Sequence, residues 1–197
     1  MKDHSQKGEQ AIILNYFGDT KGIFIDIGAN DGYTFSNTHA LSLLGWHGVV
    51  VEPTDRAFKA LMELYNGNKN VQAIQVCVGA TTGMVKFWEP EDTLVSTTIK
   101  SGIHKWEANM GMKFNEAEKE MVTYEGLMGL TELKKFDFIN IDTEGVDFDI
   151  LKQIDLADVK MVCIEVNQEH RGKYIEHFAA NDMKLVKDTN INLIFAK

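Results

Sequence analysis

At 197 residues, 44% of them hydrophobic, the chain supports one folded domain with a substantial core, expected to run over 1–197. The net charge is −9 and no cluster of Lys and Arg stands out, which excludes a phosphate-backbone surface and makes nucleic acid an unexpected partner. No apolar stretch is long enough to span a bilayer, and none follows the N-terminal charges as a signal peptide would. The expectation is a cytoplasmic protein without membrane contact.

Residues 1–20 read as an N-terminal helical segment, with apolar Ile12, Ile13, Tyr16 and Phe17 on one face and Gly18-Asp19-Thr20 as its stop. Phe24-Ile25-Asp26-Ile27 is then a short apolar run ending in Gly28-Ala29-Asn30-Asp31-Gly32, the pattern of a buried parallel strand turning into a binding loop. Thr34 to Leu44 is expected as a helix closed by Gly45, and Gly48 to Glu52 as the second strand, punctuated by Pro53 and Thr54. Phe58, Leu61, Met62 and Tyr65 form a helical stripe, and Val71 to Val78 reads as the third strand. This βαβαβ order is half of a doubly wound sheet.

The pattern then breaks. Over 80–122, Thr81-Thr82-Gly83 predicts a tight turn, Met84 to Trp88 a returning strand, and Glu89 to Val122 an irregular insert suited to a lid. The insert carries Ser96, His104 and Trp106. Regularity resumes at Phe136 to Asp142, a strand turned by Thr143-Glu144-Gly145. A short helix and the strand Val159 to Val166 follow. Then come a helix with Tyr174, Ile175, Phe178 and Ala179 facing inward, and two closing strands around Asp188-Thr189-Asn190. Cys77 and Cys163 lie inside apolar runs and are expected as buried, reduced thiols.

Acids thus mark the ends of four strands: Asp26, Glu52, Asp142 and Glu165. Parallel strands share one edge, so these groups are expected to line one cleft. Glu52 follows the first glycine turn by roughly 20 residues, the spacing of a ribose-binding acid, and its carboxylate has lone pairs for both ribose hydroxyls. Asp26 is suited to the ammonium of an amino-acid-like ligand, directly or through water. A dinucleotide site wants Gly-x-Gly-x-x-Gly, and this loop lacks the middle glycine and carries Asp31. An acidic rim suits S-adenosylmethionine better, since that molecule has a sulfonium, an ammonium and a ribose but no phosphate. An NAD-binding oxidoreductase and a non-catalytic nucleotide-binding module are the alternatives. A sulfonium methyl is already activated, so catalysis reduces to in-line alignment plus a base or a metal for a hydroxyl acceptor. Asp142, His104 and His170 are the catalytic candidates, with His39 a further candidate base. Asp142, Glu165 and Asn167 form a hard-oxygen set for Mg²⁺.

Five stretches carry a resemblance: Ser5-Gln6-Lys7-Gly8-Glu9, Phe24 to Gly32, Ser36-Asn37-Thr38, Gly45 to Pro53, and Phe138 to Gly145. In this order they resemble the FkbM-type family of class I S-adenosylmethionine-dependent methyltransferases. The resemblance implies an α/β, Rossmann-like, seven-strand, mostly parallel sheet with helices on both faces and the last strand antiparallel. It also implies O-methyl transfer to a small hydroxylated or glycan-like acceptor. Cofactor contacts are expected at Asp26, Gly28, Ala29, Asn30, Glu52, Pro53 and Asp142, with Val78 at the position of the adenine contacts.

Overall fold

The computed structural model describes residues 1–90, 113–166 and 168–197. In chain order the first half comprises α1 (Glu9–Phe17), β1 (Ile23–Ile27), α2 (His39–Leu43), β2 (His47–Val51), α3 (Asp55–Leu64), β3 (Val71–Ile74), β4 (Cys77–Val78) and β5 (Gly83–Pro90). The second half comprises β6 (Phe114–Val122), α4 (Tyr124–Leu130), β7 (Phe138–Ile141), α5 (Asp147–Leu151), β8 (Met161–Glu165), a 3₁₀ turn (Gln168–His170), α6 (Arg171–Ala179), β9 (Lys184–Asp188) and β10 (Asn192–Ala196). Seven strands make the central sheet in the order β3-β2-β1-β7-β8-β10-β9. All are parallel except β10, which runs antiparallel to both its neighbours. The α/β class and the antiparallel last strand agree with the sequence reading.

The central strands read as continuous apolar runs because both faces are covered. On one face Ile25, Ile27, Val49, Val51, Ile139 and Ile141 pack against Leu127, Ile150, Leu151 and Phe178 of α4, α5 and α6. On the other, Phe24, Val50, Phe138 and Met161 pack against Ile13, Phe17, Leu41 and Leu61 of α1, α2 and α3. Each such buried aliphatic or aromatic side chain contributes about 1.5–3 kcal/mol. Gly48 makes one close packing feasible: a Cβ there would lie 2.2 Å from the Phe24 ring. Not every expected core position is inward: Met62, Ile175 and Ala179 are exposed.

Three boundaries differ from expectation. The stretch Val71 to Val78 is two strands, not one. Pairing with β2 ends at Val51 opposite Ile74, Gln75 turns out to Asp55, and β4 pairs with β6 in a separate three-stranded sheet. The helix expected from Thr34 begins only at His39, because side chains hold the preceding residues in turns. Asp31 accepts from Tyr33 and Thr34, and Ser36 Oγ accepts from the amides of Thr38 and His39. The insert is not irregular throughout: Phe114–Val122 pairs antiparallel with β5 from Gly83↔Met121 to Pro90↔Phe114. Most of β6 is solvated, so it lacks apolar alternation. Lys86–Glu116 and Lys119–Glu89 pair across the ribbon instead. Among the described residues, no helix is long and apolar enough to cross a membrane.

Candidate active site

The turn after β1 is built against the end of β2. The amides of Gly28 and Ala29 both donate to the Val51 carbonyl at 2.9 Å. Gly28 has φ +90, and a Cβ there would sit 1.7 Å from the carbonyl oxygen of Asp142. The glycine therefore lets the β1 loop touch the β7 loop, a contact within the protein where the sequence offered approach to a ligand. Asn30 follows at φ +50, and its amide donates to Glu52 Oε2 at 2.9 Å. The amide of Thr54 donates to Glu52 Oε1 at 2.8 Å. Glu52 is only 4% exposed. Burial pushes its carboxyl above the usual range, and the bonds from Thr54 and Asn30 oppose that rise. Each oxygen has an amide partner, and the Thr54 side chain bonds the carboxylate as well, so the group is fixed in place. Pro53 follows, half-buried.

Asp26 does not line an open cleft. It is 2% exposed and points to the face of the sheet that carries α2. Thr38 Oγ1 donates to its Oδ2 at 2.6 Å, and Asn140 Nδ2 to its Oδ1 at 2.8 Å. Asn140 in turn accepts from Asn37 Nδ2 at 3.0 Å. Burial raises the Asp26 carboxyl, and the bonds from Thr38 and Asn140 oppose the rise. The network ties β1, β7 and the start of α2 together. Asp31 likewise uses its carboxylate on its own turn, accepting from Thr34 Oγ1 at 2.7 Å. Its charge faces that turn, so the argument against a phosphate ligand loses the support of Asp31.

At the ends of β7 and β8 a second group of acids meets. Among the described residues, Asp142, Glu144 and Glu165 offer carboxylate oxygens that all lie within 4.8 Å of one another. The residues are partly exposed, and their carboxyls lie close to one another. Burial is the largest cause of the rise at Glu144, to about 8, with Asp142 and Asp147 adding to it. Glu165 is pushed up to about 9 by burial, then by Glu144 and Asp147, while a bond with Asp142 opposes the rise. Asp142 stands well above the usual range from burial and from the charges of Glu165, Asp147 and Asp26. Burial and the nearness of like charges thus disfavour full ionisation of the cluster.

The remaining candidates are placed less centrally or lie elsewhere. Val78 belongs to β4, packs into the core and is buried. His170 is exposed at the end of the 3₁₀ turn. His39 is buried against His4 and Tyr33, and burial followed by the neighbouring His4 lowers it. Asn167 and the insert residues Ser96, His104 and Trp106 lie outside the described residues. Sequence reasoning assigned no role to Asn37, Thr38, Asn140 and Asp147. Asp147 accepts from amides two and four positions before it, the reverse of an Asx turn, so turn chemistry gave no signal for it; the partners of Asn37 and Asn140 are too distant in the chain for any pattern to reveal.

A family model described as the methyltransferase FkbM domain matches residues 26–187. No curated protein matches the chain. Among solved structures the fold is similar to a methyltransferase FkbM from Methylobacillus flagellatus KT, at 11% identity and a TM-score of 0.55, over 90% of this chain and 44% of that one. It is also similar to a ribosomal protein L11 methylase from Lactobacillus delbrueckii subsp. bulgaricus, at 13% identity and a TM-score of 0.54, over 95% of this chain and 75% of that one. A putative RNA methyltransferase from Pyrococcus horikoshii shares the fold at 12% identity and a TM-score of 0.51, over 97% and 83% of the two chains. At these identities the likeness is one of fold. The chain spans less than half the length of the Methylobacillus protein.

Proposed function

Because this chain belongs to the FkbM family of S-adenosylmethionine-dependent methyltransferases, we propose that it methylates a hydroxyl of a small or glycan-like acceptor by in-line transfer. The observation that carries this reading is the double position of Asp142. Its main chain abuts Gly28 of the β1 loop, and its side chain belongs to the cluster with Glu144 and Glu165. A cofactor over the β1 and β2 ends thus has its neighbour in a group of carboxyls suited to take a hydroxyl proton near neutral pH.

In this reading Glu52, held by Asn30 and Thr54, receives the ribose hydroxyls. Gly28, Ala29 and Asn30 form the floor beneath the cofactor, Pro53 and Val78 flank the adenine, and Asp26 holds the loop through Thr38 and Asn140. When bound, S-adenosylmethionine supplies an activated methyl group. The protein aligns the acceptor oxygen behind that methyl, excludes water and accepts the proton at the cluster. His170 and His104 are the alternative bases. The acidic balance of −9 favours an uncharged or cationic acceptor over RNA.

A second reading has support from the same cluster. Three hard oxygens within 4.8 Å of one another fit a divalent cation such as Mg²⁺, with Glu144 joining Asp142 and Glu165. The cation would steady the acceptor oxygen, and chelation followed by Mg²⁺ re-addition separates the two readings. The deciding experiment for function is transfer from labelled S-adenosylmethionine to fractionated small-molecule, glycan, protein and RNA pools. Label in the small-molecule or glycan fraction, as a base-stable ether, is the expected result. Label confined to RNA or protein would overturn the acceptor assignment.

A further inference from the structure

We propose that Asp147 is a positioning residue: it holds the turn that keeps the carboxyl of Glu144 inside the cluster. The inference rests on the reading that this cluster serves the acceptor. Asp147 opens α5 and is 4% exposed. Its Oδ1 accepts from the amide of Thr143 at 2.7 Å and from Thr143 Oγ1 at 2.9 Å. Its Oδ2 accepts from the amide of Gly145 at 3.0 Å. One carboxylate therefore holds the residue before Glu144 and the residue after it.

Glu144 needs such a clamp. Its φ is +56, a left-handed conformation that a side chain of this size seldom adopts unless its surroundings impose it. Gly145 follows at φ +126, where only a residue without a Cβ sits comfortably. The two bonded flanks thus fix a strained turn, and the turn brings Glu144 to Asp142 and Glu165. Released from Asp147, the Thr143–Gly145 segment relaxes toward ordinary backbone angles and the Glu144 carboxyl moves out toward water.

The charged and titratable groups facing Asp147 come from several elements. Asp142 and Glu144 are on its own loop, Glu165 ends β8, and Tyr174 of α6 feels Asp147 together with Glu165 and Asp149. Removing the charge of Asp147 therefore lowers its neighbours' titration midpoints whether or not Glu144 moves. A test of positioning must look past that common shift.

A geometric readout does so, and it needs no acceptor. In the isotope-labelled full chain the scalar coupling between the Glu144 amide and α protons reports its φ, and nuclear Overhauser contacts from the Glu144 γ protons report its approach to Glu165. In the native protein both should match the left-handed turn and the cluster. In Asp147→Asn the coupling should move to the ordinary negative-φ range and the contacts to Glu165 should be lost. Unchanged coupling and contacts overturn the proposal. Thr143→Val, which removes only the hydroxyl bond, gives a milder version should Asp147→Asn fold poorly. The contacts should weaken there, and full retention would also count against the proposal. If the geometry behaves as expected but Glu144→Gln leaves methyl transfer unchanged, the positioning role stands and the acceptor reading fails.

Discussion

Two pairs of strand-end acids face different surroundings. Asp26 and Glu52 have their oxygens held by neutral donors: Thr38 and Asn140 for one, the amides of Asn30 and Thr54 for the other. Asp142 and Glu165 have Glu144 and each other. Burial disfavours charge in both places. Neutral donors oppose that penalty, whereas neighbouring acids add to it. Both carboxyls of the first pair still stand above their usual range, and Glu89 adds to the rise at Glu52, but each is fixed by its donors. The second is suited to gain and lose protons. On the proposed reading, the same residue types on the same edge of one sheet serve binding in one place and proton transfer in the other.

The seam between the two halves is the strongest place to break this comparison. Gly28→Ala puts a Cβ against the Asp142 carbonyl and forces a side chain into left-handed backbone. It should cost about 3–4 kcal/mol in denaturant unfolding, the sum of overpacking and conformational terms. Gly67→Ala is the control. It also has φ +79 but meets nothing within 4 Å, so about 1–2 kcal/mol is expected. Equal losses at the two positions would mean the seam is loose.

The neutral-donor half is sharpened by Thr38→Val, which keeps the shape and removes the 2.6 Å bond to Asp26. The loss should be about 1.5–3 kcal/mol, as for a bond to a charged group, and it should shrink at pH low enough to protonate Asp26. The acid half predicts a pH dependence of the opposite kind to a salt-bridged carboxylate. The ordinary glutamate value is 4.5, against about 8 for Glu144 and about 9 for Glu165 in the folded chain. Between these values the native state holds protons that the unfolded chain has lost, so stability falls as pH rises. The thermal midpoint should therefore be highest near pH 5 and decline through pH 9. Glu144→Gln should flatten that slope, and a midpoint that rises over this range would contradict the assigned shifts.

Much of this was legible in the sequence, for physical reasons that also explain what was not. Ile25 to Ile27, Val49 to Val51 and Phe138 to Ile141 are buried on both faces, so composition alone marked them as central strands. Their parallel alignment then brought Asp26, Glu52, Asp142 and Glu165 to one edge. The strand Phe114–Val122 escaped because a solvated ribbon needs no apolar period. Asp26 reads as a cleft residue because a sequence shows where a residue stands on a strand and not which face is roofed. Its partner Asn140 lies 114 residues away, beyond any local pattern. The start of α2 differs from expectation because Asp31 and Ser36 bind nearby amides, a competition between side chain and helix that propensity alone does not register.

The central claim is that Glu52 serves the cofactor and the Asp142 cluster serves the acceptor. Calorimetric titration of S-adenosylmethionine into Glu52→Ala and Asp142→Asn, paired with turnover on the pool that takes the label, tests it most directly. Glu52→Ala should weaken cofactor binding by about 1.5–3 kcal/mol, the value of charge-assisted bonds to the ribose. Asp142→Asn should keep affinity within a few-fold and lower turnover roughly 100-fold, as loss of a general base does. If both variants lose cofactor affinity and turnover in equal proportion, the whole acidic edge belongs to the cofactor and the division between the two halves is wrong.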